Sequence, residues 1–381
     1  MSIEPFALPY SKAAVEDLRA RLQRTRWPDE LPGSAWTYGT SPAFMREVCR
    51  YWRDKFEWQD QLERVSQFHH FKFTAPDFDV HFIHERGTGP NPIPLVLTHG
   101  WPGSFLEMLK IIPLLTDPGN HGGDPYDSFD VIVPSLPGYG YSSKPGPGVS
   151  TFTIAQLWTE LMSELGYDRF AAQGGDLGAG VTTALGLRHA SRMHGIHLNL
   201  IPGSYRPPRA AQIRPSPEEE AYLKRAAEWF EQHGAYSHMQ RTTPITPAYA
   251  LNDSPAGLAA WILEKFQKWA DCQGDLLSVF TVDELLSNVT LYWMTESIHS
   301  SFRLYYEGLR APFAFTDENF VHTPTAIAHF PREILFPPPS WVERGYNVQQ
   351  WTEMPRGGHF AAWEEPALLA EDLRKFFRRF R

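Results

Sequence analysis

The chain has 381 residues, a net charge of −9 at pH 7 and an aromatic content of 14%. This length is enough for one large α/β domain with an insertion, or for two domains, and either would bury a sizeable core. The acidic balance, with no long Lys/Arg run, argues against a nucleic-acid partner and disfavours binding to an anionic membrane surface.

Residues 1–66 are predicted to form an N-terminal helical segment. Apolar residues recur at helix spacing in "AAVEDLRARLQ" and "AFMREVCRYWRDKF", with a Pro/Gly-rich break between them. The segment has no apolar signal core and no apolar run of about 18 residues. Cys49 and Cys272 lack the spacing of a disulfide framework or a zinc site. We therefore expect a soluble, cytoplasmic protein without a membrane anchor.

Strand and helix patterns alternate over residues 67–203 and predict an α/β core with a doubly wound, mostly parallel sheet. Two alternating strands lead into short apolar runs of the kind that buried parallel strands form. The predicted strands are "FHHFKFTA", "FDVHFIHE", "PLVLTHG", "FDVIVPSLPG", "RFAAQGG" and "GIHLNL". The predicted helices are "FLEMLKIIPLL", "TIAQLWTELMSELG" and a helix that begins after Asp176.

The pattern becomes mostly helical over residues 204–314 and returns to strands over residues 315–381. The strand-like runs "TPTAIAHF" and "NVQQWTEM" precede a C-terminal helix from about Pro366. A helical insertion between core strands is expected to form a cap over the carboxyl edge of the sheet, where ligands of open α/β sheets bind.

The stretch "AAQGGDLGAG" has the spacing of a strand, a tight turn and a helix, with Asp176 at the apex of the turn. This is the small-x-nucleophile-x-small pattern of a nucleophile elbow. A phosphate-binding loop is the alternative, but the stretch lacks the full G-x-G-x-x-G pattern and its carboxylate would repel a pyrophosphate. We predict that Asp176 is a nucleophile and that the protein uses no cofactor and no metal.

The stretch "THGWPGS" follows a strand and predicts one half of an oxyanion hole. The amide N–H of Trp101 would supply one donor, and that of Leu177, directly after the nucleophile, would supply the other. His99 is expected to hold this loop by hydrogen bonding rather than to transfer protons.

His359, in "MPRGGHFAAWEEP", lies between the last predicted strand and the last helix, which is where the general base of such a site is found. The carboxylate that orients this base should follow a strand between nucleophile and base. Glu333, just beyond "AIAHF", is our prediction, with Glu343 and Asp317 as alternatives.

The chain resembles the epoxide hydrolases of the microsomal type nearly from end to end. The strings that carry the resemblance are "RTRWP", "YWRDKFEW", "HGWPGS", "PSLPGYGYS", "GGDLG", "LNDSPAGLAAWILEKF" and "RGGHFAAWEEP". The resemblance implies an α/β-hydrolase fold with an N-terminal wrap and a helical cap. It also implies Asp176 as nucleophile, His359 as base and Glu333 as relay acid.

Two cap tyrosines act on the epoxide oxygen in this family, and the matching strings are "GAYSHMQRT" and "FRLYYEGL". They put this role on Tyr236 and Tyr305, with the adjacent Tyr306 as an alternative. The implied reaction is hydrolysis of a small-molecule epoxide by water to a vicinal diol, through an ester on Asp176. We do not expect the membrane anchor of animal members in this protein, and Leu177 stands where some relatives have an aromatic residue.

Two other functions are compatible with parts of this pattern. A haloalkane dehalogenase shares the Asp elbow, but halide binding often uses an indole beside the nucleophile, which Leu177 does not supply. A catalytically silent binder of an apolar small molecule is disfavoured by the presence of nucleophile, base, acid and tyrosines. The identity of the epoxide and the formation of a homo-oligomer stay open.

Overall fold

The computed structural model describes residues 1–208, 212–311 and 319–381. In these residues nine strands form one sheet. They are β1 (Ser2–Pro5), β2 (His70–Thr74), β3 (Asp79–Glu85), β4 (Ile93–Thr98), β5 (Phe129–Pro134), β6 (Phe170–Gly174), β7 (Met193–Leu198), β8 (Val321–His329) and β9 (Tyr346–Glu353).

The helices surround this sheet and include a long run between β7 and β8. They are α1 (Lys12–Gln23), α2 (Pro42–Asp54), α3 (Trp58–Val65), α4 (Ile112–Thr116), α5 (Thr151–Glu164), α6 (Asp176–Arg188), α7 (Pro217–His233), α8 (Ala235–Thr242), α9 (Ile245–Leu251), α10 (Pro255–Trp269), α11 (Val282–Met294), α12 (Ile298–Arg310), α13 (Pro339–Val342), α14 (Ala361–Glu364) and α15 (Pro366–Phe377).

The sheet has the strand order β1-β2-β3-β5-β4-β6-β7-β8-β9. The pairs β1/β2, β2/β3 and β3/β5 are antiparallel, and the remaining neighbours are parallel. All six residues of β5 and all five of β6 are buried, as expected for strands that are covered on both faces. The predicted doubly wound, mostly parallel α/β-hydrolase fold is therefore confirmed.

One strand was missed in the sequence, and one helix prediction was wrong. The edge strand β1 was not predicted, because its four residues are too few to show a clear alternation. The single helix predicted over "FLEMLKIIPLL" is instead a 3₁₀ turn, Phe105–Met108, followed by α4. Pro113 lies in the first turn of α4, and its ring prevents a continuous helix from the preceding residues.

The topology of the sheet creates a crevice beside its central strands. The chain runs from β4 to β5 on one side and then returns to β6 on the other side of β4. This reversal is a topological switch point, and ligands of open α/β sheets bind at the carboxyl ends of the strands there. The loops after β4, β6, β8 and β9 all leave the sheet at this edge.

The helices between β7 and β8 contact the N-terminal helices through polar side chains. The Tyr51 hydroxyl donates to Asp283 Oδ1 at 2.9 Å, and Trp52 Nε1 donates to Thr290 Oγ1 at 2.9 Å. Both donors lie in α2 and both acceptors in α11. These two hydrogen bonds join the N-terminal segment to the helical insertion.

The predicted domain boundary at 314/315 lies outside the described residues, and those at 66/67 and 203/204 stay predictions. In the part of the chain that the structure describes, no helix is both long and apolar enough to cross a membrane.

Candidate active site

Asp176 lies at the apex of the turn between β6 and α6. Its φ of 47° is in the left-handed region, which few non-glycine residues adopt and which here turns the carboxylate out of the helix. The turn needs close backbone approach, because a Cβ added to Gly178 would lie 2.0 Å from the carbonyl oxygen of Thr98. A Cβ added to Gly100 would lie 2.4 Å from Asp176 Oδ1. The local geometry is that of a nucleophile elbow.

The loop after β4 supplies a hydrogen-bond donor to this carboxylate. The amide N–H of Trp101 donates to Asp176 Oδ1 at 2.8 Å. Leu177 is the second residue of α6, so its amide N–H has no acceptor within the helix. Of the two amides predicted to form an oxyanion hole, that of Trp101 therefore binds the carboxyl group of Asp176, and that of Leu177 follows Asp176 directly in the chain.

Helix α11 holds the Trp101 loop in place. Asn288 accepts a hydrogen bond from the Ser104 hydroxyl and donates to the carbonyl oxygen of Pro102, each at 2.8 Å. The Tyr292 hydroxyl donates to the carbonyl oxygen of Gly103 at 2.9 Å. Because three contacts fix three successive residues, the amide of Trp101 is oriented before substrate binds.

His99 stabilises the same loop and is not a proton carrier. Its Nε2 accepts from the Leu136 amide at 3.1 Å, so its Nδ1 carries the hydrogen that faces the carbonyl oxygen of Gly100 at 3.1 Å. Burial lowers the pKa of His99 to about 4, which keeps the ring neutral.

His359 lies between two carboxylates. Its Nε2 is 3.5 Å from Asp176 Oδ2, and its Nδ1 is 2.6 Å from Glu333 Oε1. The His359 and Glu333 side chains expose 3% and 0% of their surface, whereas Asp176 exposes 18%. Of these three residues, Asp176 is therefore the one that solvent or a ligand can reach.

The charge state of His359 depends on these two neighbours. Burial disfavours the imidazolium, but the negative charges of Glu333 and Asp176 outweigh it and hold the pKa of His359 well above its usual range. Loss of the charge on Asp176 would remove one of the two carboxylates that keep the ring protonated.

Glu364 was missed in the sequence although it positions the loop that carries His359. Its carboxylate accepts from the amides of Gly358 at 3.0 Å, Phe360 at 2.8 Å and Asp271 at 2.8 Å. Two of these amides belong to the residues on either side of His359. A carboxylate five residues after the histidine in "HFAAWEE" is the signal that could have found it.

Neither alternative to Glu333 is found beside His359 in the described residues. Glu343 ends the short helix α13 and is exposed. Asp317 lies outside the described residues.

Tyr236 and Tyr305 meet above Trp101, one from α8 and the other from α12. The Tyr236 ring stacks on the Trp101 indole with centroids 5.3 Å apart, and the Tyr305 ring meets the same indole edge-on at 6.0 Å. The two phenol rings are 6.3 Å apart. Burial and the negative charge of Asp176 raise the pKa of both phenols, which keeps them protonated.

Tyr306 lies on another part of α12. The Arg310 guanidinium covers its ring at 3.2 Å from the centroid, and the residue lines a separate surface cavity with Gly146 and Thr242. The structure thus brings Tyr305, and not Tyr306, together with Tyr236, Trp101 and Asp176.

Two family models match the chain. Residues 3–108 match the model of the epoxide hydrolase N terminus, and residues 93–242 match that of the alpha/beta hydrolase fold. Among curated proteins, "Epoxide hydrolase 1" of Oryctolagus cuniculus is 39% identical over 408 residues, which cover 98% of this chain and 88% of that protein.

Solved structures agree with this similarity. The juvenile hormone epoxide hydrolase of the silkworm Bombyx mori superposes with a TM-score of 0.89 at 31% identity and covers 100% of this chain and 95% of its own. The epoxide hydrolase of Aspergillus niger superposes with a TM-score of 0.86 at 28% identity, over 100% of this chain and 97% of its own.

Proposed function

The chain belongs to the epoxide hydrolase family and hydrolyses an epoxide to a diol, and we propose that it does so through a covalent ester on Asp176. The observation that carries this proposal is the position of the Asp176 carboxylate, between the Trp101 amide on one oxygen and His359 beside the other. Tyr236 and Tyr305, above the same tryptophan, complete the proposed site.

The first step is attack on carbon by a carboxylate that needs no base. A carboxylate is itself an anionic nucleophile, so its attack requires no proton transfer to a base. Because Oδ1 is held by the Trp101 amide, Oδ2 is the oxygen that attacks an epoxide carbon. The C–O bond of the ring breaks as the new bond to Oδ2 forms, and the departing oxygen takes a proton from Tyr236 or Tyr305.

The second step is hydrolysis of the ester. Water gives a proton to Nε2 of His359 and attacks the carboxyl carbon of Asp176. The negative charge that develops on Oδ1 is stabilised by the amides of Trp101 and Leu177. Collapse of this intermediate breaks the bond from the carboxyl carbon to Oδ2, which leaves in the diol and takes the proton that His359 had accepted from water. The proton that the water oxygen brings to the Asp176 carboxyl group returns to the tyrosine that gave up its own in the first step. The sum is the addition of one water to one epoxide.

The charge of Asp176 links the two steps. In the free enzyme the carboxylates of Asp176 and Glu333 keep the pKa of His359 high. Esterification neutralises Asp176, so the pKa of His359 falls when the ester forms. The base is thereby released for the step that requires it.

Dehalogenation is less well supported. Leu177 puts an aliphatic side chain where an indole would bind the leaving halide, and the tyrosine pair is suited to protonate an alkoxide. The relatives described above are also named as epoxide hydrolases. We retain the four predicted segments and a cytoplasmic location as proposals, the latter supported by the free thiols of Cys49 and Cys272.

A panel of terminal, styrene-type and long-chain epoxides, analysed for diol, tests this function and identifies the substrate class. The wild-type protein is expected to hydrolyse at least one class, and Asp176→Ala to form no diol above background. Tyr306→Phe, which changes a residue outside the proposed site, serves as a control and should keep wild-type activity. Full activity in folded Asp176→Ala would refute the assignment of the nucleophile.

A further inference from the structure

Glu107 is a buried carboxyl group that no step of the proposed reaction uses. It belongs to the 3₁₀ turn Phe105–Met108, which follows directly after the Trp101 loop. Only 9% of its surface is exposed. Its carboxyl group has no hydrogen-bond partner among the residues that the structure describes. An unpaired buried carboxyl group costs free energy, so its presence beside the site calls for a functional reason.

This side chain lines a small cavity together with Asp176 and His359. The cavity volume is about 10 Å³. That is at the lower limit for one water molecule, which also needs two to four polar partners. Asp176, His359 and Glu107 each contribute a polar side chain to the wall of this cavity, which supplies enough partners for one water molecule.

The absence of a side chain at Gly103 lets the carboxyl group of Glu107 reach this position. A Cβ added to Gly103 would lie 2.3 Å from Glu107 Oε2. The carboxyl oxygen therefore packs against the backbone of the loop that binds Asp176. Tyr236 and Tyr305, in contrast, lie over the indole of Trp101.

The electrostatic surroundings keep Glu107 neutral in the free enzyme. Burial raises the pKa of its carboxyl group to about 8, a nearby His359 opposes the increase, and the carboxylates of Asp176, Glu364 and Glu333 add to it. A protonated carboxyl group offers one donor and one acceptor, as a water-binding group requires.

On the basis of the proposed ester mechanism, we propose that this cavity binds the hydrolytic water and that Glu107 holds it. One O–H of the water donates to Nε2 of His359, and the other donates to a carboxyl oxygen of Glu107. The lone pair of the water oxygen is then directed at the carboxyl carbon of Asp176. Glu107 neither gains nor loses a proton in the step; it orients the water that His359 deprotonates.

Separate measurement of the two half-reactions tests this role. Under single-turnover conditions, rapid quench and mass spectrometry follow formation and decay of the ester in the wild type, Glu107→Leu and Glu107→Gln. Glu107→Leu should form ester at nearly the wild-type rate and hydrolyse it about 10-fold more slowly, the value of one hydrogen bond of roughly 1.4 kcal/mol. Glu107→Gln keeps an acceptor oxygen of the same reach, so its hydrolysis should stay within about 3-fold of the wild type.

Two results would overturn the assignment of Glu107. One is ester decay at the wild-type rate in Glu107→Leu. The other is a parallel loss of both half-reactions with a lower Tm in both variants, which would mean that Glu107 only supports the fold. A wild-type protein that makes diol without any ester would instead refute the proposed mechanism itself, whatever the variants do.

Discussion

The ring of His359 stands 3.5 Å from the carboxylate of Asp176, measured from Nε2 to Oδ2. This separation is longer than that of a strong charge-assisted hydrogen bond, so Oδ2 stays available for attack while the two charges still interact. The same ring is held at 2.6 Å by Glu333 on its other side. In the proposed mechanism this arrangement separates the roles of the two residues: Asp176 attacks first, and His359 acts afterwards.

His359→Gln should stop the reaction at the ester. Attack by Asp176 needs no base, but the water in the second step does, and general-base catalysis contributes about 10²–10⁴-fold. We expect turnover to fall by that factor while a covalent adduct accumulates. Mass spectrometry of the variant after addition of a reactive epoxide should show the mass of one substrate added to the protein. An unmodified protein under these conditions would contradict the order of steps.

Glu333→Gln should slow ester hydrolysis and change its pH dependence. The negative charge of Glu333 raises the pKa of His359, so its removal lowers that pKa. Since the neutral ring is the base, the acidic limb of the hydrolysis rate should move to lower pH. The rate at the plateau should fall about 10- to 100-fold, the range for a charge-assisted hydrogen bond. Glu343→Gln is the matched control, and an equal effect there would reassign the relay acid.

If one of the phenols of Tyr236 and Tyr305 is removed, the other should still donate a proton to the epoxide oxygen, at a lower rate. Tyr236→Phe and Tyr305→Phe are each expected to slow ester formation about 10-fold, and the double variant about 10²–10⁴-fold. Stopped-flow or rapid-quench measurement of the first half-reaction isolates this step. Normal ester formation in the double variant would exclude both tyrosines as the proton donors.

Glu107 should make the protein less stable as the pH rises from about 4.5 to about 8. The folded-state pKa of Glu107 is raised to about 8, from an ordinary value of 4.5. Its stability contribution is therefore fully present below pH 4.5 and is lost as the pH rises towards 8, because the unfolded chain releases the proton first. Glu107→Gln should not show this decrease in stability, because the glutamine side chain does not titrate.

Urea unfolding at several pH values measures this difference. The free energy of unfolding of Glu107→Gln, relative to the wild type, should increase with pH by up to about 1.4 kcal/mol per unit in this range. The exposed Glu63→Gln should show no such trend. A constant difference between Glu107→Gln and the wild type would mean that the Glu107 carboxyl titrates normally.

Local sequence predicted the residues whose role depends on the turn that carries them. Asp176 lies between small residues on a strand-to-helix turn, and His359 lies between the last strand and a helix, so each is recognisable from its neighbours alone. The alternation of strand and helix patterns likewise predicted the α/β core. Several of its strands were recognisable as short, continuous apolar runs, which buried parallel strands form.

The residues that sequence analysis missed act over a distance in the fold. Glu364 binds the amides on both sides of His359 from the following helix, and Glu107 reaches the site because Gly103 leaves room for it. In the sequence, Glu107 is one charged residue in an apolar stretch, which resembles the exposed position of an amphipathic helix. Only the packing of that turn beneath the Trp101 loop makes it part of the site.

The most direct test of the covalent route is a single turnover in ¹⁸O water with enzyme in excess. If Asp176 attacks carbon, the new hydroxyl oxygen of the diol comes from its carboxylate, and the oxygen of water enters the enzyme. We predict unlabelled diol in the first turnover, and ¹⁸O in the peptide that contains Asp176. Labelled diol in that first turnover, with an unlabelled peptide, would show direct attack by water and contradict the ester mechanism.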